Sequence, residues 1–158
     1  MLNRLLDGAV VLLPGDGKAL QQFVSSAQVA DSLVRILERP HNGWRALNIA
    51  SDGYVSLAGF VGICAEVAGV EARLRHVGGG ATGTGDAVFR MAEPVFPFPN
   101  ENYLLDLTAS VEAGVAPPPT TLRQMVEDGL ADLKAHPGRR AWRRTAAELS
   151  RLDEPSSE

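Results

Sequence analysis

The chain has 158 residues, 45% of them hydrophobic and 22% charged, which is enough for one hydrophobic core. Its net charge of −4 disfavours a nucleic-acid partner, because an acidic surface repels phosphate backbones. No segment approaches the roughly 20 apolar residues of a membrane span, so we expect no membrane partner. The single cysteine, Cys64, excludes an internal disulfide and a multi-cysteine metal site, and fits a cytoplasmic location.

The first third of the chain predicts short strands around one helix. Residues 9–13 are an apolar run that ends in a Pro-Gly-Asp-Gly turn, which is typical of a buried strand. Residues 22–24 and 46–50 predict two further strands. Between them, residues 28–38 have helical periodicity. The face expected to meet the core carries Val29, Leu33, Ile36 and Leu37.

The remainder predicts two more helices and a tail. Ser56 is a suitable N-cap for a helix that ends at Gly69, and Cys64 lies on its apolar face. Residues 72–77 and 103–107 predict strands. Thr121 and Gln124 form a plausible capping box before a helix whose core face includes Leu130. Residues 139–158, rich first in arginine and then in acids, predict a partly helical, flexible and poorly packed tail.

Two glycine motifs are candidate ligand sites. Gly80-Ala81-Thr82-Gly83-Thr84-Gly85 follows a predicted strand, but a helix from Asp86 must end before Pro94, after about two turns. We therefore predict a loop rather than a dinucleotide fingerprint. The turn Gly15-Asp16-Gly17 can direct backbone amides at an anionic ligand. His41, His76 and His136 show no metal-ligand spacing, so no metal site is predicted.

The order of the segments resembles that of a known family. The segments 8–17, 22–30, 46–50 and 104–130 resemble the C-terminal, substrate-binding portion of extended short-chain dehydrogenase/reductases, the NAD-dependent epimerase/dehydratase family. Two features depart from the family pattern. Ala27 and Gln28 replace its paired aspartates, and Ser25 replaces its histidine or tyrosine. The family's Tyr-x-x-x-Lys motif does not occur.

This resemblance implies a mixed α/β fold, with a small substrate-binding domain at residues 1–138 that lacks the N-terminal Rossmann half. It also implies substrates such as nucleotide sugars or related carbonyl compounds. NAD(P) is implied as a cofactor by the resemblance alone. We expect the chain by itself to bind no cofactor and to be inactive as an oxidoreductase. Catalytic residues stay unknown. The residues expected to bind substrate are Gly15, Asp16, Gly17, Gln21, Gln22 and Asn48.

The expected partners are a separate cofactor-domain protein or a second copy of the chain, joined through an exposed apolar patch. The residues expected in this patch are Leu2, Leu5, Leu6, Val95, Phe96 and Phe98. Two alternatives stay open. The chain could be a non-enzymatic remnant that binds a ligand or a partner. It could also be a small cyclase or isomerase that needs no cofactor and uses acids among Asp16, Asp52, Asp86 and Asp106.

The absence of a dinucleotide-binding fingerprint generates a first prediction. The purified chain should not bind NAD or NADP with useful affinity, because no helix of normal length follows the glycine-rich segment. Isothermal titration calorimetry measures this directly. Micromolar binding that disappears in Gly83→Val or Gly85→Val would reverse the interpretation of this segment as a loop.

Overall fold

Helices and short strands alternate along the chain, as the sequence predicts. The computed structural model describes residues 1–39, 46–77, 98, 100–140 and 142–153. None of the helices within these ranges is long and apolar enough to cross a membrane. The elements are α1 (Leu2–Leu6), β1 (Val11–Pro14), β2 (Leu20–Gln22), α2 (Ser26–Leu37), β3 (Tyr54–Ser56), α3 (Leu57–Ala68), β4 (Leu74–Val77), α4 (Thr108–Glu112), α5 (Leu122–Ala135), a 3₁₀ turn (Pro137–Arg140) and α6 (Ala146–Asp153).

Strand β1 is the most deeply buried element. It pairs in parallel with β4, Val11 opposite Leu74 and Pro14 opposite Val77. All four residues of β1 are buried, as expected for an apolar run in a parallel pair. The strand ends where Gly15 and Gly17 take left-handed conformations, with φ of 57° and 70°. The predicted strand at residues 9–13 is thus confirmed, with its boundaries moved toward the turn.

Strands β2 and β3 form a second, antiparallel pair, in which Leu20 lies opposite Ser56. Two predicted strands are wrong. Residues 46–50 form none, because the backbone of Asn48 accepts from the Ser110 hydroxyl rather than from a neighbouring strand. Residues 103–107 make only one bridge, between Tyr103 and Gln21. Side-chain hydrogen bonds take the place of ladder bonds in both segments.

Helix α3 is central to the core. Its N-cap is Ser56, whose hydroxyl accepts from the Gly59 amide, and Gly69 ends it with a φ of 67°, as predicted. It packs against α1 and α5, and Cys64 and Leu130 are buried, also as predicted. The aromatic rings of Phe23, Phe60 and Phe98 pack together at its start, with centroids 4.7 to 5.5 Å apart. Cys64 is 1% exposed within the core, and this burial raises the pKa of its thiol to about 11, which disfavours the reactive thiolate form.

The predicted core face of α2 is partly wrong, since only Val29 and Ile36 of its four residues are half-buried. Leu33 is 55% exposed and Leu37 is 81% exposed, whereas Gln28 and Ser32 are buried. The buried face is polar because the Gln28 amide joins several segments. Its Oε1 accepts from the Ser25 amide at 3.0 Å and the Ser51 hydroxyl at 3.1 Å, and its Nε2 donates to the carbonyl of Pro118 at 3.0 Å. This network, which includes a reciprocal capping box with Ser25, fixes the rotation of the helix.

The described part of the predicted tail is packed against the N-terminal segment, so the expectation of a poorly packed extension is wrong there. Glu148 on α6 is 1% exposed, and its carboxylate accepts from Arg4 on α1 at 2.8 Å. Such a buried charge needs a partner, because desolvation otherwise costs several kcal/mol. The domain boundary at residue 138 and the flexibility beyond it stay predictions.

The expected apolar patch is also partly wrong. Leu5 is buried in the core, and Leu2 and Phe98 pack against the core cluster as partly buried residues. Val95 and Phe96 lie outside the described residues. Other aliphatic side chains are exposed instead, on α2 and α4: Leu33, Val34, Leu37 and Val111.

The reassigned face of α2 gives a second prediction. Leu130→Ala should lower the free energy of unfolding by about 2–5 kcal/mol, because it leaves a cavity in the core. Leu33→Ala, at a largely exposed position, should change it by roughly 0.5 kcal/mol or less. Urea unfolding of the two variants beside the wild type measures both values. Equal losses would restore the sequence-based assignment of Leu33 to the core.

Candidate functional site

The segment from Asn100 to Asp106 lies alongside the segment from Gly15 to Gln22, and their hydrogen bonds build the candidate site. The amide of Tyr103 donates to the carbonyl of Leu20 at 2.8 Å, and the amide of Leu20 donates to Asn102 Oδ1 at 2.9 Å. The short strand β2 therefore has a neighbour on each side, β3 on one and residues 100–105 on the other.

The Gly15-Asp16-Gly17 turn lies at one end of this arrangement. Both glycines are required by their left-handed backbone and by space. A Cβ on Gly15 would collide with the Asn100 amide, and one on Gly17 would come within 2.5 Å of Leu13. Asp16 is exposed and accepts from the Lys18 amide at 3.0 Å. That hydrogen bond, together with the Lys18 side chain, holds the pKa of Asp16 below its ordinary value.

The three amide side chains predicted to bind substrate are hydrogen-bonded to the protein's own backbone. Gln21 Nε2 donates to the carbonyl of Glu101 at 2.7 Å. Gln22 Nε2 donates to the carbonyl of Ser51 at 2.9 Å, and its Oε1 accepts from the Leu105 amide at 2.8 Å. Asn48 Nδ2 donates to the carbonyl of Asp106 at 2.9 Å. Their role in substrate binding stays a prediction. Their hydrogen bonds hold the segments that form the site next to one another.

An open groove of 410 Å³ lies at the other end, where β2, the residues before β3, and α4 meet. Gln22 is the one predicted site residue in its lining, and Asn48 contacts it through Asp106. The described lining consists of Gln22, Asp52, Leu105, Asp106, Leu107, Thr108, Val111 and Glu112. None of these residues is basic, and three carry carboxylates.

Asp106 shapes the wall of the groove. Its Oδ1 accepts from the Thr108 amide at 2.9 Å, which starts the turn into α4. The same hydrogen bond holds the pKa of Asp106 below its ordinary value of 3.8, so the group is ionised at neutral pH. Asp106 can therefore accept hydrogen bonds from hydroxyl groups, and it repels phosphate.

Only some of the residues that line this groove could be recognised from the sequence. Asp52 and Asp106 were recognised as available acids but not as neighbours, because 54 positions separate them. Val111 and Glu112 were missed. The one local signal for them was Asp106-Leu107-Thr108, an Asx-type turn that opens a short helix.

The connections that follow β1 and β2 do not have the form of a dinucleotide fingerprint. In a dinucleotide fingerprint, a strand leads through glycines directly into a helix. Strand β1 instead leads through Gly15 and Gly17 into β2, and β2 leads into α2 through Phe23–Ser25, which contains no glycine. The segment 80–85 lies outside the described residues. Within the described ranges, His, Cys, Asp and Glu side chains form no group of three suited to a metal ion.

The fold is that of part of the nucleotide-sugar epimerases and dehydratases. The UDP-glucose 4-epimerase of Thermotoga maritima matches with a TM-score of 0.65, 18% identity and 85% of this chain covered. The dTDP-glucose 4,6-dehydratase of Bacillus anthracis matches with a TM-score of 0.65, 13% identity and 87% covered. The UDP-N-acetylglucosamine 4-epimerase of Methanobrevibacter ruminantium matches with a TM-score of 0.59, 16% identity and 83% covered.

This chain spans 38% of the length of each of these three enzymes. No family model and no curated protein sequence matches it. The resemblance to extended short-chain dehydrogenase/reductases is thus confirmed as a likeness of fold.

The hydrogen bond from Thr108 generates a third prediction, on pH dependence. Because the folded pKa of Asp106 is depressed, its contribution to stability is present above about pH 3.8 and is lost as the pH falls through the folded value. The stability difference between wild type and Asp106→Asn should therefore shrink as the pH falls below 4. Urea unfolding from pH 7 to 2.5 measures it, and NMR titration of the Asp106 carboxyl checks the cause. A carboxyl that titrates at or above 3.8 would contradict this account.

Proposed function

We propose that this chain is the substrate-binding part of an NAD(P)-dependent epimerase, dehydratase or reductase, and that it binds the sugar portion of a nucleotide sugar in the groove of Asp52, Asp106 and Glu112. The observation that carries the proposal is the likeness of fold to nucleotide-sugar enzymes across 83% to 87% of the chain. One of those structures was determined with UDP-glucose.

The chemistry of the groove supports a sugar rather than a diphosphate. Sugar hydroxyls donate hydrogen bonds to carboxylates, and Asp52, Asp106 and Glu112 supply three such acceptors. Leu105 and Val111 add apolar surface for the face of a sugar ring. A diphosphate would be repelled here, so in this proposal the nucleotide extends out of the groove toward solvent.

Hydride transfer would require a nicotinamide-binding domain in addition to the residues described. The connections that follow β1 and β2 do not have the form of a dinucleotide fingerprint, and the chain has no Tyr-x-x-x-Lys motif. The proposal therefore assigns the chain a binding role and leaves the redox step to a partner domain. A non-enzymatic binding protein would share the groove but would form no product with such a domain.

A cofactor-independent isomerase is the second candidate, because the groove brings Asp52 and Asp106 together. Acid–base catalysis at neutral pH favours groups whose pKa lies near 7. The lowered pKa of Asp106 moves it in the opposite direction, so it would be a weak base and would carry no proton to donate at neutral pH. Isomerase activity is therefore less well supported than substrate binding.

The fourth prediction tests the groove with UDP-glucose. Titration into isotope-labelled protein should shift the amide signals of Gln22, Asp52 and residues 105–112 in NMR spectra. Val111→Trp should weaken binding at least tenfold, because an indole at this exposed position fills the groove. Its matched control is Leu149→Trp on α6, an equally drastic change at another exposed aliphatic residue, which should leave the affinity unchanged.

The same titration with UDP alone separates the sugar from the nucleotide. UDP should bind more weakly than UDP-glucose and should not shift the groove signals. The proposal fails if millimolar UDP-glucose leaves the groove signals unmoved, or if the two tryptophan variants lose affinity equally.

A further inference from the structure

Strand β1 has one edge that β4 does not use. The amide of Val11 donates toward β4, to the carbonyl of Arg73 at 2.8 Å. In a trans peptide unit the carbonyl and the amide point in opposite directions, so the carbonyl of Val10 points away from β4. By the same alternation, the backbone groups of Leu12 face this second edge. Unprotected edges of this kind pair readily with strands of other chains.

The C-terminal segment Trp142–Asp153 contacts this edge at Val10. The Arg144 guanidinium donates to the Val10 carbonyl at 2.9 Å, where a neighbouring strand would supply a backbone amide. Leu12 is 1% exposed, so the edge is closed to solvent. Arg75 on β4 donates to the carbonyl of Leu152 at 2.8 Å, which attaches the end of the segment to the other strand of the pair.

One side chain locks the segment in place. Both carboxylate oxygens of Glu148 are used, Oε1 by Arg4 at 2.8 Å and Oε2 by the Thr145 amide at 2.9 Å. Two guanidinium groups lie over the Trp142 ring, that of Arg4 at 4.8 Å and that of Arg144 at 5.7 Å from the ring centroid. Its indole nitrogen donates to Asp7 at 2.7 Å. These contacts are mainly polar, so losing one charge should release the segment without emptying the core.

We propose that Trp142–Asp153 is a strap that closes the outer edge of β1, with Glu148 as its latch, and that releasing the strap allows β1 to pair with the same edge of a second copy. This role is independent of the sugar groove. The strap lies on α1, β1 and β4, whereas the groove is formed by β2, the residues before β3, and α4. The proposed function and the strap can therefore fail separately.

The fifth prediction compares Glu148→Gln with Glu127→Gln, an identical change at an exposed position on α5. In Glu148→Gln, hydrogen exchange of the Leu12 amide and of the Trp142 indole should accelerate at least tenfold. The amides of Val11 and Leu13, which face β4, should change less than twofold. Sedimentation velocity should then show a dimer that is absent in the wild type and in Glu127→Gln. A second variant, Arg144→Leu, should produce the same dimer with Glu148 intact.

Three results would overturn the strap. Unchanged exchange at Leu12 and Trp142 would show that Glu148 is not a latch. Equal acceleration of Val11, Leu12 and Leu13 would show that Glu148 supports the whole core rather than one edge. Faster exchange at Leu12 in a protein that stays monomeric would show that the strap does not guard against pairing.

Discussion

Two glutamine side chains on a three-residue strand hold together the part of the molecule where a ligand would bind. Strand β2 is too short to fix both of its neighbours through backbone hydrogen bonds alone. Gln21 and Gln22 add side-chain hydrogen bonds to those of the strand, since their amide groups bond to the backbones of Glu101, Ser51 and Leu105. The wall of the groove from Leu105 to Thr108 is positioned by these bonds. Adjacent residues on a strand point to opposite faces, so side chains from both faces of β2 take part in these hydrogen bonds.

Local chemistry made much of the fold predictable. Ser56 and Gly69 bound α3 because a hydroxyl satisfies free amides and glycine accepts a left-handed backbone, and both signals are visible in the sequence. The apolar run of β1 was equally clear. The fold class came from the resemblance of the segment order to that of extended short-chain dehydrogenase/reductases, and the solved structures with the same fold agree with it.

Long-range polar contacts made the rest unpredictable. The apolar periodicity of α2 pointed to Leu33, but the network around Gln28 turns the adjacent face, with Gln28 and Ser32, inward. The partners of Gln28, Ser51 and Pro118, are distant in sequence. The groove is likewise assembled from three separate segments. Burial of Glu148 depends on Arg4 at the other end of the chain, so an acidic residue in a polar segment gave no sign that it would be enclosed.

The pairing of Arg4 with Glu148 also affects how the molecule is made. The two residues are 144 positions apart, so α1 cannot complete its contacts until α6 has left the ribosome. Most of the core, including the packing of α1 against α3, can form earlier. Contacts of such sequence separation slow folding, because a long loop must close before they form. During synthesis, a chaperone would therefore encounter a nearly complete core in which the Arg4 guanidinium still lacks its carboxylate partner.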